Sequence, residues 1–499
     1  MVRSMPAWVK VLCIGLAVVA CTLVTPAALE AQAGTLRVAV PYELASLDPH
    51  GPNAIDLATT TASKHLYDTL VARTSEGVEP SLAKSWDNPD PYTWHFYLRE
   101  DVRFHDGSPL TAQDVKASFE RIRRLGGPAA PLFEPVESVE AVTAHEVVFR
   151  TSEPLGTLLI NLTRLFVLPA GRMDDPGFFN RPVGSGPFQA VSFSPGNILV
   201  LKRNPDYWGG APGVERLELV NIPEVASRMV ALQTGEIDVT WLIPSDQLPT
   251  LRKDKGIIVE SLPSWTSYVI WFNSSRKPFD DVRVRRAVWH AIDWDKIIAN
   301  LYQGIGQQAQ GPLSPGVFGS SVQTPYTYDP QLARQLLAEA GYPNGFRSTV
   351  QWKNDEYSDL VYAMISDLKK VGIELQPMQK EHAIWLNDLL SLNWDINVQT
   401  VAVTTGDADY SLGRLYLSSA KRTGYANAEL DDLLLRARRS LDQAERAKLY
   451  EQAARIIWEE AVGMFPIDCI EHYAYRQRVK GFVPDPGLTP SFASVTLEN

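Results

Sequence analysis

Two acidic side chains in the last quarter of the chain, Asp407 and Asp409, are the residues whose type and spacing could do chemistry. Paired carboxylates can act as the general acid and the general base of a hydrolase. These two lie only two positions apart, so nothing requires them to face one scissile bond, and no nucleophile and base motif accompanies them. A secreted hydrolase therefore remains an alternative without a supporting motif.

A glycine-rich turn, Gly184-Ser185-Gly186, is the next candidate for chemistry. A phosphate-binding loop needs Gly-x-x-x-x-Gly-Lys, and a serine nucleophile elbow needs Gly-x-Ser-x-Gly. The turn has neither spacing, so the sequence predicts a structural turn that enters a strand. No P-loop spacing occurs elsewhere, and no ATP site is expected in this chain.

Metal binding would require clustered histidine, cysteine or carboxylate ligands. No two histidines have the spacing of a compact ligand motif. We therefore predict no metal site and no cofactor, although histidines distant in sequence can still converge in a fold. The eight histidines are His50, His65, His95, His105, His145, His290, His382 and His472.

The first 33 residues have the layout of a cleaved secretory signal peptide. Arg3 and Lys10 precede an apolar run over 11–24, and Ala31-Gln32-Ala33 supplies a cleavage site with small residues. The run is too short for a membrane-spanning helix. The sequence therefore predicts export to the periplasm.

The cysteines leave one alternative for the N-terminus. Residues 18–21, Val-Val-Ala-Cys, pass as a loose lipobox, which would leave a lipid anchor at Cys21. The apolar residues 22–29 are unlike the polar tether of a lipoprotein, so we favour cleavage after Ala33. The mature chain then keeps a single cysteine, Cys469, and cannot form a disulfide within itself.

Size and charge narrow the possible functions. A chain of 499 residues is long enough for two or three structural units. Its formal net charge is −11, and it has no long basic run. An acidic protein of this kind is a poor candidate for binding nucleic acid or anionic membrane surfaces.

Helices and strands must position the candidate residues, and the sequence signals for such elements are clearest at 82–115 and 328–346. In the first stretch, alternating aromatic residues at 92–98 predict a strand, and Thr111 with Asp114 has the spacing of a helix capping box. In the second, Asp329 caps a helix, Pro330 takes its first position and Gly341 ends it. A helix is also predicted at 62–71, and a long helical region at 429–460.

Several such stretches occur together, in the same order, in one known family. The markers are SW…YTWHFYLR…VRFHDGSPLTAQDV at 85–115, VGSGPF at 183–188, LKRNPDYWGG at 201–210, RMVALQTGEID at 228–238, PFDDVRVRRAVWHAID at 278–293 and YDPQLARQLLAEAGYPNGF at 328–346. This combination resembles the solute-binding proteins of bacterial ABC importers, in the family that carries peptides and nickel. The resemblance covers essentially the whole chain after the signal peptide.

The resemblance implies an α/β, two-lobed periplasmic binding protein fold of the large peptide-binding class. Mixed sheets would carry helices on both faces, and two crossing strands would form the hinge. The implied ranges are a signal peptide at 1–33, lobe I at 34–67, 185–272 and 476–499, an extra subdomain of lobe I at 68–184, and lobe II at 273–475. The ligand would lie in the cleft, and the closed form would dock on a membrane permease driven by a cytoplasmic ATPase.

The resemblance places ligand recognition in the loop between Val403 and Leu417. Peptide-binding members carry an aspartate there that pairs with the ligand's α-amino group, and this chain has Thr404 at that position. Dipeptide binders also use an arginine that has no counterpart in 351–357. The run Thr405-Gly406-Asp407-Ala408-Asp409-Tyr410 is instead similar to the TGEADW run of the glutathione-binding branch, which implies a glutathione-like ligand.

The candidate ligand-binding residues form three groups. The first is the loop itself, and the second is Lys353, the nearest cation to the missing arginine. The third comprises aromatic residues on the crossing strand and polar residues near the first turn of lobe I. Together they are Thr404, Thr405, Gly406, Asp407, Asp409, Tyr410, Lys353, Trp265, Tyr268, Trp271, Asn53 and Ser46.

The expected partners are a small peptide or glutathione-like ligand and the importer's membrane permease, with the protein itself a monomer and not an enzyme. Nickel-binding relatives use a histidine in the loop that corresponds to 404–425, and this chain has none there. A nickel chelate or other small solute is therefore the weaker alternative within the family. A peptide-binding sensor or chaperone that delivers nothing is the alternative from another class.

Overall fold

The structure is a computed structural model that describes residues 34–74, 77–353 and 357–498. The predicted signal peptide and the alternative anchor at Cys21 lie outside the described residues. The strands are β1 Thr35–Val40, β2 Val71–Thr74, β3 Gly77–Pro80, β4 Ala83–Asp90, β5 Thr93–Leu98, β6 Val136–Thr143, β7 Glu146–Thr151, β8 Phe188–Ser194, β9 Ile198–Arg203, β10 Arg216–Asn221, β11 Val239–Trp241, β12 Ile257–Phe272, β13 Gly306–Gln308, β14 Phe346–Lys353, β15 Ile373–Lys380, β16 Ile396–Ala402, β17 Gly463–Arg476, β18 Val479–Lys480 and β19 Thr496–Leu497.

Helices lie between these strands, so the fold is mixed α/β. Short helical turns also occur at Ala130–Phe133, Phe178–Asn180, Asp409–Gly413 and Ser418–Ala420. The α-helices are α1 Leu57–Leu66, α2 Ala112–Leu125, α3 Leu158–Leu162, α4 Val225–Thr234, α5 Leu248–Leu251, α6 Val282–His290, α7 Trp294–Leu301, α8 Pro330–Glu339, α9 Ser358–Lys369, α10 His382–Leu390, α11 Ala428–Arg439 and α12 Gln443–Glu459.

One large sheet joins the two halves of the molecule. Its strand order is β15-β14-β16-β12-β17-β11-β1-β10-β9-β8, and β13 pairs with β17. The long strands β12 and β17 run antiparallel to each other, β12 pairing with β16 through 266–272 and β17 with β11 through 473–475. The predicted fold class is therefore confirmed, with β12 and β17 as the two crossing strands.

Separate hydrophobic cores lie at the two ends of this sheet. Lobe I, as we use the term, surrounds a core that includes Leu36, Trp241, Tyr473 and Phe492. Lobe II surrounds a core formed by residues between Trp265 and Ile467. The pairing register of β12 with β17 shifts between Pro263 and Ser267, at the junction of the cores. We propose that the lobes divide there, a few residues before the predicted boundaries at 272/273 and 475/476.

A third core belongs to a small body built on the sheet β4-β5-β7-β6. It includes residues between Leu70 and Val167, such as Phe96, Phe119 and Phe149, and it lies within the predicted subdomain range 68–184. The expected capping box is present. The Thr111 side chain accepts the backbone N–H of Asp114, and the Asp114 carboxylate accepts the backbone N–H of Thr111. Residues of β2, β3 and α3 face lobe II across a shared cavity.

One helix prediction was wrong in its bounds, and one predicted helical region is divided. The helix predicted at 62–71 ends at Leu66, because the Asp68 carboxylate accepts hydrogen bonds from Ser185, Tyr207 and Trp208 and its carbonyl accepts one from Val167. The long helical region at 429–460 is two helices. Asp442 interrupts it by accepting the backbone N–H groups of Ala444 and Glu445 as an N-cap.

Candidate functional site

The loop after β16 carries both acidic residues of the sequence prediction, and Asp407 is fully enclosed. Its Oδ1 and Oδ2 lie 2.9 and 3.0 Å from Nη2 of Arg446, which extends from α12. Burial raises the pKa of Asp407, and the Arg446 guanidinium opposes that rise. Asp407 also accepts the backbone N–H of Asp409 at 3.0 Å. This carboxylate is therefore committed to holding the loop on α12.

Asp409 is neutralised in the same way from the neighbouring helix. Nε of Arg438 on α11 lies 3.1 and 3.2 Å from its two carboxylate oxygens, and the Tyr450 hydroxyl donates at 3.3 Å. Neither loop carboxylate is therefore left to pair with a ligand's ammonium group without first giving up an arginine. The pair also offers no free general base for hydrolysis.

The loop is pressed against Trp265, at the start of the lobe II part of β12. Gly406 has φ +73°, and a Cβ built on it would lie 2.7 Å from Cη2 of the Trp265 ring. Any other residue would meet both backbone strain and a clash at this position. The Trp265 ring also faces Arg73 from lobe I, whose guanidinium carbon lies 4.1 Å from the ring centroid.

Three cavities follow the loop along the contact between the lobes. The Trp265 cavity has a volume of about 480 Å³, and residues of both lobes line it. That volume lies within the range of about 300 to 1,000 Å³ that small-molecule sites occupy. The lobe I side contributes Arg73, Val78 and Leu159 to the lining. The lobe II lining includes Trp265, Val317, Phe318, Thr405, Gly406, Asp407, Gln443 and Arg446.

The Asp409 cavity has a volume of about 230 Å³ and lies between the third core and the continuation of the loop. Tyr410 and Arg414 line it, and the Arg414 guanidinium carbon lies 4.3 Å from the Tyr410 ring centroid. The lobes also meet here directly, since the backbone N–H of Gly156 donates to the Arg438 carbonyl at 2.8 Å.

The Arg164 cavity has a volume of about 290 Å³, and nearly all of its lining comes from lobe I. Thr404 is the residue of the loop that lines it, and its buried Oγ1 has no hydrogen-bond partner among the described residues. Arg73 lines this cavity and the Trp265 cavity together. Consecutive loop residues, Thr404 and Thr405, therefore face two adjacent spaces.

Cations outnumber anions on the lobe I side of these cavities. Lys64 and Arg73 share one carboxylate, Asp485, at 3.1 and 3.0 Å. The two cations together hold the pKa of Asp485 well below its usual range, although burial opposes them. Burial lowers the pKa of Lys64 to about 8. Asp68 also lines the Arg164 cavity, but neutral donors bind it and burial raises its pKa.

Five predicted site residues line none of these three cavities. Trp271 is buried in the lobe II core and donates to the Tyr416 hydroxyl at 2.8 Å. Tyr268 packs edge-on against Tyr302, with ring centroids 5.0 Å apart. Of the remaining three, Lys353 lies 5.1 Å from the Trp385 ring centroid, Asn53 donates to Asp56 and Ser46 accepts the N–H of Asp48.

The sequence interpretation missed the basic residues of the cavities. Arg164 had a detectable signal, because it is the single charge in the apolar run 155–170. Lys64 and Arg73 have ordinary surroundings in the sequence, and only the fold brings Asp485 to them from more than 400 positions away. Arg446 likewise stands among other charged helix residues that are exposed.

The described residues contain neither a metal cluster nor a membrane-spanning helix. No group of three or more histidine, cysteine or carboxylate side chains could hold a metal ion within 34–74, 77–353 and 357–498. The histidines have other partners, such as the Phe166 carbonyl for His50 at 2.8 Å and the Glu146 carboxylate for His95 at 3.0 Å. Over the same ranges, no helix combines the length and the apolar character that crossing a membrane would require.

With this geometry established, comparison with known proteins identifies the family. Residues 77–423 match the bacterial extracellular solute-binding proteins, family 5, middle part. The chain belongs to this family. Its fold, with two lobes joined by β12 and β17, is the one that family members with solved structures share.

Individual relatives extend the match to nearly the whole chain. A probable D,D-dipeptide-binding periplasmic protein from Escherichia coli K12 is 29% identical over 475 residues, which cover 89% of this chain and 92% of that protein. The glutathione-binding protein GsiB of the same strain is 29% identical over 507 residues, covering 92% and 94%. A periplasmic binding protein from Helicobacter pylori in complex with the peptide STSA has a TM-score of 0.79 at 28% identity, covering 93% and 98%.

Proposed function

We propose that this protein captures a short peptide or glutathione-like ligand in the cleft between its lobes and delivers it to the permease of an ABC importer. The observation that carries the proposal is the Trp265 cavity, a space of about 480 Å³ lined from both lobes at the strands that join them. The dipeptide-binding and glutathione-binding relatives support a peptide-sized ligand. The protein acts in the periplasm as a monomer and does not transform its ligand.

The two-lobed design gives a physical mechanism for capture. A ligand shifts the balance toward the closed arrangement only if it binds that arrangement more tightly than the open one. Residues of both lobes line the Trp265 cavity, among them Arg73 from lobe I and Arg446 from lobe II. A ligand in contact with both walls therefore favours closure, and the closed form is the one that the permease accepts.

The charges of the cleft favour an acidic ligand over a neutral dipeptide. Asp407 and Asp409 are paired with arginines, so the usual carboxylate for a peptide's ammonium group is absent from this loop. The lobe I wall has Lys64, Arg73 and Arg164 against Asp485 and Asp68, and burial raises the pKa of Asp68. Glutathione, which carries two carboxylates and one ammonium group, fits this balance better than a dipeptide with one of each.

Thermal unfolding of the purified mature protein tests the ligand class. Carried-over solute is removed first by denaturation on a column and refolding. We expect millimolar glutathione to raise the melting temperature, since a ligand at a hundredfold excess over its Kd adds about 2.7 kcal/mol to the free energy of unfolding. Alanyl-alanine at the same concentration should leave the melting temperature unchanged. No shift with glutathione would refute the glutathione-like assignment.

Delivery is tested in cells rather than in the purified protein. Deleting the gene should abolish uptake of the labelled ligand, and a deletion of the permease should have the same effect. Uptake that depends on the permease but not on this protein would refute delivery, and would favour a sensor.

A further inference from the structure

Arg164 is a buried cation without a carboxylate partner. Its relative exposure is 7%, and both of its hydrogen bonds come from Nη2, to the Ala54 carbonyl at 3.2 Å and to Oγ1 of Thr60 at 3.0 Å. Within the part of the chain that the structure describes, no Asp or Glu lies within ion-pair distance of it. Leaving a buried charge uncompensated is destabilising by several kcal/mol, so its retention needs a reason.

Other buried arginines show what compensation looks like in this protein. Nη2 of Arg446 contacts both carboxylate oxygens of Asp407, and Arg121 binds Asp48 through two nitrogens at 2.7 and 2.8 Å. Arg285 reaches Glu460, and Arg228 donates to three backbone carbonyls. Arg164 has neither a carboxylate nor such a set of carbonyls. Its Nε and Nη1 are left available on a side chain that lines a cavity.

Two further unpaired groups line the same cavity. Oγ1 of Thr404 and Nη1 of Arg73 are buried, and each lacks a hydrogen-bond partner among the described residues. Lys64 adds a positive charge, although its Nζ is already engaged by Asp485 and by two oxygens of Thr489. A hydroxyl, a guanidinium edge and a second guanidinium all lie around a space of about 290 Å³.

We propose that the Arg164 cavity is a carboxylate subsite, in which Arg164 and Arg73 pair with an anionic end of the ligand and the Thr404 hydroxyl donates to the same group. This subsite rests on the proposed function, because it assigns one end of the peptide-like ligand to the Arg164 cavity. Arg164 belongs to lobe I and Thr404 to the lobe II loop. One carboxylate in contact with both therefore couples recognition of charge to closure of the cleft.

Calorimetric titration of the refolded full mature chain tests the subsite with matched probes. The probes are glutathione and glutathione amide, in which a carboxamide replaces the terminal glycine carboxylate. We expect the amide to bind about 30-fold more weakly than the acid, because it loses the charge-assisted hydrogen bonds from the two guanidinium groups. In Arg164→Met that ratio should fall below about threefold, and in Arg172→Met, which removes an exposed arginine of the same lobe, it should be unchanged.

A second measurement decides the subsite even if none of the probes binds. In the ligand-free protein, Arg164→Met should raise the melting temperature, because it removes an uncompensated charge. Arg121→Met should lower it, because it leaves Asp48 and Asp174 without their partner. Equal binding of glutathione and its amide to the wild type, or a lower melting temperature in Arg164→Met, would overturn the carboxylate subsite. Absence of any probe binding would count against the proposed peptide class alone.

Discussion

The two walls of the cleft treat charge in opposite ways. On the lobe II wall, Asp407 and Asp409 are each closed off by an arginine from α12 or α11. On the lobe I wall, Arg164 has no counter-ion among the described residues and Arg73 leaves a buried nitrogen unpaired. We propose that the lobe II wall, whose loop carboxylates are paired internally, supports the site and that the lobe I wall receives the ligand.

This difference separates stability from recognition. Changes on the loop should lower stability and affect binding through the loop's position. Changes at Arg164 should affect binding and leave the ligand-free protein as stable or more stable, as happens where function keeps an unfavourable residue in place. Substitutions in the loop and at its neighbours can therefore show whether the loop contributes mainly to the stability of the folded protein.

The largest effect is expected for Asp407→Asn. The substitution leaves the Arg446 guanidinium buried without its counter-charge, and breaking a buried pair in this way lowers stability by about 3 to 5 kcal/mol. Urea denaturation of the ligand-free protein measures it. The matched control is Asp432→Asn. The Asp432 carboxylate forms an exposed pair with Arg436, so its loss should lower the free energy of unfolding by less than about 1 kcal/mol. Similar losses in both variants would contradict the supporting role of Asp407.

The crossing strand β17 should make stability depend on pH. Burial raises the pKa of Asp468 to about 6 from its ordinary value of 3.8, against hydrogen bonds from Ser267 and Ser314. Between about pH 4 and 6 the folded protein therefore holds a proton that the unfolded chain has released. The resulting stabilisation is complete below that window and is lost as the pH rises through it.

Asp468→Asn isolates this contribution, because asparagine cannot ionise. The free energy of unfolding of the variant, minus that of the wild type, should increase by on the order of 3 kcal/mol between pH 4 and pH 7. Chemical denaturation at fixed pH values gives the difference curve. A flat curve would show that Asp468 is solvated in the folded protein.

Gly406→Ala should be next in size, because it adds a methyl group against the Trp265 ring. Gly126→Ala is the control, since Gly126 also has a positive φ but no atom within 4 Å of the built Cβ. We expect Gly406→Ala to lower stability by about 2 kcal/mol more than Gly126→Ala, the typical effect of overpacking. Melting temperatures of the two variants measure the difference. Equal losses would mean that the loop moves freely away from Trp265.

The smallest effect is expected at the exposed contact between the lobes. Glu153 accepts from Nε of Arg439 at 2.7 Å, and both side chains are partly exposed. Glu153→Gln should change the free energy of unfolding by less than about 1 kcal/mol. Its effect on the ligand dissociation rate, followed by stopped-flow fluorescence, should be below about threefold. A larger change would mean that this surface pair, and not the cavity walls alone, stabilises the closed arrangement.

Much of the fold was predictable because its signals are local. The capping box of Thr111 and Asp114 and the Asp329-Pro330 helix start lie within a few residues of the elements that they begin, and both are present. The family markers placed these elements in a known order. The helix boundary at Leu66 was missed because Asp68 binds residues more than 100 positions away.

The candidate site was less predictable for the same reason. The resemblance pointed to the loop 404–410, whose residues line the three cavities, but its aspartates gave no sign that Arg438 and Arg446 would enclose them. Trp271 and Tyr268 could be placed on a strand, but a period-two pattern does not tell which face lines a cavity and which a core. Arg164 stood out in its apolar run, and only the structure shows that no carboxylate of the described residues reaches it.

The most direct measurement is native mass spectrometry of the protein purified without denaturation, with the released solute identified after unfolding. The contrast between the walls predicts one peptide-sized solute per chain that carries at least one free carboxylate. A solute that is cationic, or one without any acidic group, would contradict the central claim that the lobe I wall waits for an anion.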